Sequence, residues 1–365
     1  MHVEVRTARH RHAARPIYDT IRIGLAIPLQ GSAGIFGPSC EAVAELCTHK
    51  LNERGVLGRR IEIEPIDAGA APEQIAAQVS DLIDRGRIHA LTGWHISSVR
   101  EYLAPVTAGR IPYVYTSLYE GGEHRAGVFC SGETPLQQIA PALSWLRDNL
   151  GLRRWFIVGN DYIWPRASAD ATVEYARELD LQVVGARFVR FGTYDFAPLV
   201  RHIARSSAEG VLMLLVGQDG VAFNRAFAAE GAHKQMLRLS PLMEENMLLA
   251  SGVEATSNLY VSAGYFRSLP TAGSLDLVGD YTGMFGANAP PLNNQAESCY
   301  EGITLLANLM GAAQCPDLGC MLTASADGLG YDGPRGAVEL VSGHLRQKVH
   351  LAKASGADFD VIATL

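Results

Sequence analysis

Apolar and polar residues alternate along this chain in short blocks that predict strands and helices in regular succession. Up to Tyr115 the predicted strands are Ile21–Ile27, Ile61–Ile66, Ile88–Thr92 and Pro112–Tyr115. The predicted helices that join these strands are Cys40–Asn52, Pro72–Arg85 and Ser97–Ala108. Repeated β-α-β units of this length predict a parallel sheet with helices on both faces.

The same alternation restarts at Pro135 and predicts a second sheet. Its helices are Pro135–Leu150, Arg166–Leu179, Phe196–Arg205 and Val221–Glu230. Its strands are Trp155–Val158, Leu181–Ala186, Val211–Val216, Leu237–Leu239 and Leu259–Ser262. Two more helices, Leu275–Phe285 and Asn293–Ala312, precede two or three short strands after Gly336. We therefore predict an α/β fold with two doubly wound lobes and a ligand cleft between them.

Composition and charge narrow the class of protein. The 365 residues suffice for two domains, and 48% hydrophobic with 19% charged residues predicts well-filled cores. The formal charge of −7 argues against direct binding of nucleic acid. No segment has the roughly 18 apolar residues of a membrane span. The basic N-terminal arm, residues 1–20, lacks a signal-peptide pattern, so the prediction is cytoplasmic, or periplasmic if a leader was removed.

The six cysteines predict neither a metal site nor a cofactor site. Cys40 and Cys47 fall within one helix and are expected to face the core together. Cys315 and Cys320 bracket a short loop that would close into a disulfide only in an oxidising compartment, and we favour free thiols. No group of histidines and cysteines has zinc-site spacing.

The segment Gly159–Arg166 carries the clearest functional signal. It follows a buried strand, and it places Tyr162 and Trp164 near the strand's carboxyl end, where open α/β sheets bind small ligands. It contains no nucleophile paired with a base. Elsewhere the chain lacks a Gly-x-Ser-x-Gly motif, a P-loop and a metal motif, so we predict a binding protein and not an enzyme.

Four segments resemble a known family. Leu51–Glu62 is similar to a stretch of the branched-chain amino-acid binding proteins, although it has one glycine fewer before Val56. Tyr115–Gly121, Asp161–Arg166 and Gly333–Gly336 resemble the amide- and urea-binding branch of that family. This branch includes the cytoplasmic amide sensor of aliphatic amidase operons and the periplasmic urea receptors of ABC transporters.

The resemblance implies a type I periplasmic-binding-protein fold, whose chain passes three times between the lobes. The passages are expected near Cys130–Pro135, Val261–Gly264 and Ala326–Asp332. Lobe 1 would then comprise residues 21–133 plus 263–328, and lobe 2 residues 134–262 plus 329–365.

The resemblance also implies which residues of lobe 1 contact the ligand. Ser97 matches a ligand-contacting serine, although a helix cap explains it as well. Ser117 matches a ligand-binding threonine, and Tyr115 a pocket wall. His95 stands where the amide sensor has tyrosine, and a histidine of a surface loop is the alternative. Tyr119 either contacts the ligand or shapes its loop.

Lobe 2 is expected to complete the site with aromatic and polar groups. Tyr162 is expected to donate a hydrogen bond, and Trp164 to form a wall. Gly217 permits close approach of the backbone, and Gln218 could pair with an amide or urea. Glu244 either contacts the ligand or opens a helix whose dipole favours an acid.

Two functions remain in view. The first is a cytoplasmic sensor of a short amide or urea, which regulates amidase expression through a partner protein. The second is the substrate-binding protein of an ABC transporter for amides, urea or branched-chain amino acids. Both predict a small-molecule ligand, no cofactor and no membrane span, and both are compatible with a homo-oligomer.

Overall fold

The computed structural model describes residues 20–326 and 328–365. They form two α/β lobes, each built on one sheet, which confirms the predicted fold class. Residues 1–19 of the predicted basic arm lie outside the described residues. Within the described part of the chain, no helix is both long and apolar enough to cross a bilayer.

The sheet of lobe 1 has eight strands in the order β11-β12-β13-β5-β4-β3-β1-β2. The strands are β1 (Thr20–Ile27), β2 (Arg60–Asp67), β3 (Ala90–Gly93), β4 (Tyr113–Tyr115), β5 (Val128–Cys130), β11 (Leu329–Gly333), β12 (Gly336–Val341) and β13 (His344–Arg346). β1 to β5 pair in parallel, and β13 also pairs in parallel with β5, whereas β12 is antiparallel to both β11 and β13. The carboxyl ends of β1 to β5 therefore lie at one edge.

The sheet of lobe 2 has seven strands in the order β15-β14-β10-β9-β8-β6-β7. The strands are β6 (Arg154–Asn160), β7 (Gln182–Val189), β8 (Gly210–Leu214), β9 (Leu237–Ser240), β10 (Leu259–Ala263), β14 (His350–Ser355) and β15 (Asp358–Thr364). β6 to β10 are parallel, and β14 and β15 add an antiparallel edge.

Helices cover the faces of both sheets. They are α1 (Gly37–Arg54), α2 (Pro72–Asp84), α3 (Ser97–Thr107), α4 (Pro135–Leu150), α5 (Ile163–Glu178), α6 (Ala197–Ala204), α7 (Gln218–Ala229), α8 (Glu245–Ser251), α9 (Ala272–Phe285), α10 (Asn294–Ala313) and α11 (Leu318–Ser325). α1 buries Val43, Cys47 and Leu51 on one side, and it packs against α10. Its last turn closes at Gly55, whose φ of 70° favours glycine.

The chain passes between the lobes three times. Residues 131–134 join β5 to α4, and residues 264–271 join β10 to α9, which packs on α1 in lobe 1. The third passage, residues 347–349, joins β13 to β14.

The third passage lies later in the chain than the expected Ala326–Asp332. The prediction assigned residues 329–365 to lobe 2, but the sheet places β11, β12 and β13 in lobe 1. The reason is pairing: β13 joins β5 through His344 and Cys130, and β12 pairs with β11 and β13. Alternating apolar residues predict these strands but do not predict which sheet they join.

A buried arginine connects the three passages. Arg335 Nη1 lies 3.3 Å from Glu133 Oε1 in the first passage, and it donates to Gln347 Oε1 at 2.8 Å in the third. Its Nη2 donates to Ser298 Oγ at 2.7 Å, and its Nε is ion-paired with Glu297. The side chains of Arg335, Glu133 and Glu297 are all at most 1% exposed.

The same network reaches the second passage. Gly264 N donates to Glu133 Oε1 at 2.7 Å, and Gln347 Nε2 donates to Ser131 O at 3.0 Å. A Cβ on Gly264 would lie 2.2 Å from Glu133 Oε1, so this position has no room for a side chain. We call Arg335, Glu133, Gln347 and Gly264 the hinge cluster.

Replacing Arg335 by methionine is expected to lower the free energy of unfolding by roughly 3–5 kcal/mol, because it leaves buried carboxylates without their cation. Chemical denaturation measures the change. The matched control is Arg346→Met, since Arg346 is exposed at the end of β13. The control is expected to stay within about 0.5 kcal/mol of wild type. Equal losses in both variants would contradict the role assigned to the hinge cluster.

Candidate functional site

The predicted residues of lobe 1 meet where β3 and β4 end. These two strands are parallel neighbours, so the loops that follow them lie side by side. His95, Ser97, Tyr115, Ser117 and Tyr119 are all buried there, at the start of α3 and in the loop after β4. We call these five residues the lobe 1 cluster. Their roles in ligand binding remain predictions.

A closed hydrogen-bond pattern around His95 holds the lobe 1 cluster together. Ser117 Oγ accepts from His95 N at 3.0 Å and donates to His95 O at 2.6 Å. Tyr115 OH also donates to His95 O, at 3.1 Å. Ser97 Oγ lies 3.4 Å from Tyr115 OH. Because the hydroxyl protons of Tyr115 and Ser117 are used internally, the oxygen of Ser97 keeps lone pairs that can accept.

The imidazole of His95 is neutral. Its Nε2 lies 2.8 Å from Tyr113 OH, and its ring contacts those of Tyr113 and Tyr115. Burial lowers the pKa of His95 to about 3. The predicted alternative, a histidine in a surface loop, is wrong, because the residue is fully buried. His95 therefore holds its neighbours through both its ring and its backbone groups.

Beneath the tyrosines lies a buried charge cluster that the sequence analysis did not single out. The guanidinium carbon of Arg100 lies 5.7 Å from the centre of the Tyr115 ring and 5.4 Å from that of Tyr119. Arg100 is ion-paired with Glu120 at 2.6 Å and also with Glu101 and Glu123. Such a cation under two phenol rings fixes their positions.

Glu120 has one oxygen in contact and one without a partner. Its Oε1 pairs with Arg100, whereas its buried Oε2 has no hydrogen-bond partner among the described residues. Burial raises the pKa of Tyr115 and of Tyr162, and the negative charge of Glu120 raises both further. Glu120 therefore lies close enough to influence phenols from both lobes. The sequence signal for Glu120 is its position next to Tyr119 in the segment Tyr115–Gly121.

The opposite wall comes from lobe 2, at the start of α5. Tyr162 immediately precedes this helix, and Trp164 lies in its first turn and is buried. The ring centre of Tyr162 is 6.3 Å from that of Trp164 and 5.1 Å from that of Phe191. α5 begins three residues earlier than the predicted Arg166, because Pro165 is tolerated in a first turn.

Gly217 lets the two lobes approach each other. Its φ is 53°, and a Cβ there would lie 2.0 Å from Ser32 O in lobe 1. The next residue, Gln218, is exposed at the first position of α7, and its role in ligand binding remains a prediction. Successive helical residues point in different directions, so the neighbouring Asp219 is buried instead.

Asp219 joins the lobes across the cleft. Its Oδ1 accepts from Ser32 Oγ of lobe 1 at 2.8 Å. Its Oδ2 accepts from Asn160 Nδ2 at 2.6 Å, and Gly192 N donates to both oxygens at 3.1 Å. Burial raises its pKa. The Ser32–Asp219 bond thus fastens the loop after β1 to three segments of lobe 2.

Glu244 lies on the hinge side of the cleft. Its Oε2 accepts from Asn294 N at the start of α10 at 3.0 Å, and its Oε1 has no partner among the described residues. Burial raises its pKa, and the charges of Glu133 and Arg335 also act on it. Glu244 therefore ties lobe 2 to α10, beside the hinge cluster and not in the lobe 1 cluster. Local sequence patterns do not indicate that partner, because 50 residues separate Glu244 from Asn294.

Among the described residues, one group of three side chains could supply metal ligands, and two of its members form a disulfide. Cys315, Asp317 and Cys320 lie together, and the two cysteines are bonded with their Cα atoms 6.1 Å apart. The preference for free thiols was therefore wrong for this pair, because the loop of Pro316–Gly319 brings the thiols together. Cys40 and Cys47 are free and buried in α1, as predicted.

Comparison with known proteins identifies related chains over nearly the whole length. A family model described as "Periplasmic binding protein" matches residues 20–358. The "Leu/Ile/Val-binding protein homolog 6" of Brucella melitensis is 22% identical over 351 residues, which cover 93% of this chain and 89% of the relative.

Two solved structures show the same fold at low identity. A solute binding protein of an ABC transporter from R. palustris, in complex with 4-hydroxybenzoate, superposes with a TM-score of 0.84 at 19% identity, over 95% of this chain and 97% of that one. The branched-chain amino acid transporter substrate binding protein LivJ from Streptococcus pneumoniae, in complex with isoleucine, gives 0.81 at 15% identity, over 94% and 98%.

Removing the hydroxyl of Ser32 is expected to loosen the contact between the lobes. Ser32→Ala deletes the Ser32–Asp219 hydrogen bond, and the loss of one such bond costs about 1 kcal/mol. Small-angle X-ray scattering should show a larger radius of gyration than wild type. Ser257→Ala is the control, since Ser257 Oγ donates to Glu254 O within lobe 2. An unchanged radius in Ser32→Ala would overturn the assignment.

The pH dependence of stability should reveal the buried carboxyl of Glu245. Burial raises its pKa to about 7, so between the ordinary value and pH 7 the folded state binds a proton that the unfolded state has lost. The free energy of unfolding therefore falls as pH rises through this window. In chemical denaturation at a series of pH values, Glu245→Gln should reduce this fall in the free energy of unfolding by up to about 3 kcal/mol. Exposed Glu41→Gln is the control, and parallel curves for both variants would refute the expectation.

Proposed function

The chain belongs to the periplasmic binding protein family, and from that premise we propose that it is the substrate-binding protein of an ABC transporter whose lobes close on a small uncharged ligand bearing N–H groups, an amide or a urea. The observation that carries the ligand class is the buried Oε2 of Glu120, which has no hydrogen-bond partner among the described residues and lies in the loop after β4.

The polar groups of the cleft match both ends of an amide. Glu120 Oε2 and the lone pairs of Ser97 Oγ can accept from ligand N–H groups. α3 begins at Ser97 without a side-chain cap, so its first backbone N–H groups and its positive dipole end favour a carbonyl oxygen. An amide or urea supplies donor and acceptor together, and each buried group then gains a partner.

Local charge disfavours a carboxylate ligand. The charged side chains around Arg100 comprise two cations and three acids, so their net charge is 2 − 3 = −1. The cations are Arg100 and Arg125, and the acids are Glu101, Glu120 and Glu123. Both cations are already ion-paired. A benzoate would therefore be repelled by the net negative charge. The ionised carboxylate of Glu120 also has no proton to donate to the carboxylate of a benzoate. This distinguishes the ligand proposed here from those bound by the two structural relatives.

Transport is a better-supported role than regulation of amidase expression. The relatives described above are transport binding proteins or homologues of a Leu/Ile/Val-binding protein, and the regulator role has no support from them. The Cys315–Cys320 disulfide also favours a protein that works in an oxidising compartment. We therefore place the protein in the periplasm with an ABC permease as its partner, and we propose that it binds its ligand without turnover.

Titration calorimetry tests the ligand class. Acetamide or urea is expected to give saturable heat with one site per chain, whereas 4-hydroxybenzoate and isoleucine give none. The ligand should be recovered unchanged after incubation. Heat from either carboxylate, with none from any amide or urea, would overturn the proposed ligand.

A pair of variants locates the site within the same measurement. Glu120→Gln replaces an acceptor by an amide and should weaken binding roughly tenfold or more, as expected when a buried hydrogen bond is lost. Glu101→Gln is the matched control, because Glu101 pairs with the same arginine but is 39% exposed. Equal affinities for the two variants would show that Glu120 does not contact the ligand.

A further inference from the structure

A small apolar cavity lies beside the N-terminus of α3, at the mouth of the cleft. Its volume is about 330 Å³. Lobe 1 contributes small and aliphatic side chains from three loops, and lobe 2 contributes one ring; the main contributors are Ala33, Ala68, Ala70, Ile96, Val99 and Phe191. None of the described residues that line this cavity carries a charge. We call it the side cavity.

The side cavity shares two walls with the polar site. Ile96 and Ser98, which line it, flank Ser97 in the lobe 1 cluster. On lobe 2, Phe191 lies against Tyr162, with ring centres 5.1 Å apart. A ligand whose polar group lies at Ser97 and Tyr162 therefore has an apolar compartment directly beside it.

The floor of the side cavity is held in place by one carboxylate. Asp67 Oδ1 accepts from Leu29 N at 2.9 Å and from Gly69 N at 2.8 Å, and its Oδ2 accepts from Gln30 Nε2 at 2.6 Å. A Cβ on Gly69 would lie 2.6 Å from Gln30 O, so the two loops touch. The loops after β1 and β2 are thus fixed to each other, which keeps the compartment from collapsing and makes it ready for a ligand.

We propose that the side cavity binds the apolar substituent of the ligand, so that the protein selects amides with a branched aliphatic or aromatic substituent over acetamide and urea. This inference rests on the proposed function and names the ligand more closely. Compartments of this size lie at the lower end of small-molecule pockets and gain affinity from each apolar group they bury.

Calorimetry with acetamide, isobutyramide and benzamide tests the proposal on the full chain. Wild type should bind isobutyramide or benzamide roughly tenfold or more tightly than acetamide, since one or a few methylenes in an apolar pocket give this discrimination. Ala70→Leu fills the side cavity and should remove that preference while acetamide affinity stays within about threefold of wild type. Ala33→Leu, on another loop, should act in the same way. Exposed Ala287→Leu is the control and should leave all affinities unchanged.

The outcomes separate this inference from the proposed function. Binding of all three amides with equal affinity would overturn the role of the side cavity and leave the amide site standing. Equal weakening of every amide in Ala70→Leu and Ala33→Leu, with thermal unfolding unchanged, would also overturn it, because the cavity would then belong to the common site. No heat from any amide would overturn the proposed function and the inference together.

Discussion

The two lobes depend on the buried guanidinium of Arg335. It lies where all three chain passages converge, and it contacts the first through Glu133 and the third through Gln347. Through Glu133 it also acts on Gly264 of the second. An ion pair so deeply buried is weak evidence for net stability, because removing two charges from water is costly. Its directional hydrogen bonds instead specify one arrangement of the three chain passages. The relative position of the lobes follows from that arrangement.

With the lobes so arranged, direct polar contacts close the cleft, among them the bond that Asn246 Nδ2 donates to Ile35 O at 2.9 Å. Ser32 meets Asp219 near the mouth, and Glu244 meets the start of α10 beside the hinge cluster. Between them lie the phenols and the unpartnered oxygen of Glu120. Polar contacts that can be broken and remade suit a protein that opens and closes, because each is worth little once water can replace the lost partner.

Periodicity in the sequence predicts the parallel strands other than the short β5 and most of the helices between them, since burial on one face imposes a repeat of 3.6 or 2 residues. The prediction ends where long-range pairing decides. β12 has the alternating pattern of any half-buried strand, and only its pairing with β11 and with β13, which joins β5, places it in lobe 1. A sequence pattern also does not fix the first residue of a helix: α7 begins at Gln218, three residues before the predicted Val221.

In the candidate site, too, the sequence reveals the types of residue but not their contact partners. Aromatic and hydroxyl residues at the ends of β3, β4 and β6 are visible in the sequence. The contacts of Arg100 with Glu120, and of Ser32 with Asp219, are not, because 20 and 187 residues separate the members of each pair. Local patterns carry little information about such contacts, although these contacts determine which atoms remain available to a ligand.

The unpartnered oxygen of Glu120 connects ligand choice to closure. In the closed arrangement it is buried without a donor, which costs about 1–3 kcal/mol relative to a paired group. When the lobes separate, water can solvate this oxygen, so the cost belongs to the closed form. A ligand with an N–H group, as proposed above, would remove it by donating to the oxygen, whereas a carboxylate would add repulsion. Such a ligand would then have a higher affinity for the closed form, and that difference in affinity would shift the population of lobes toward closure.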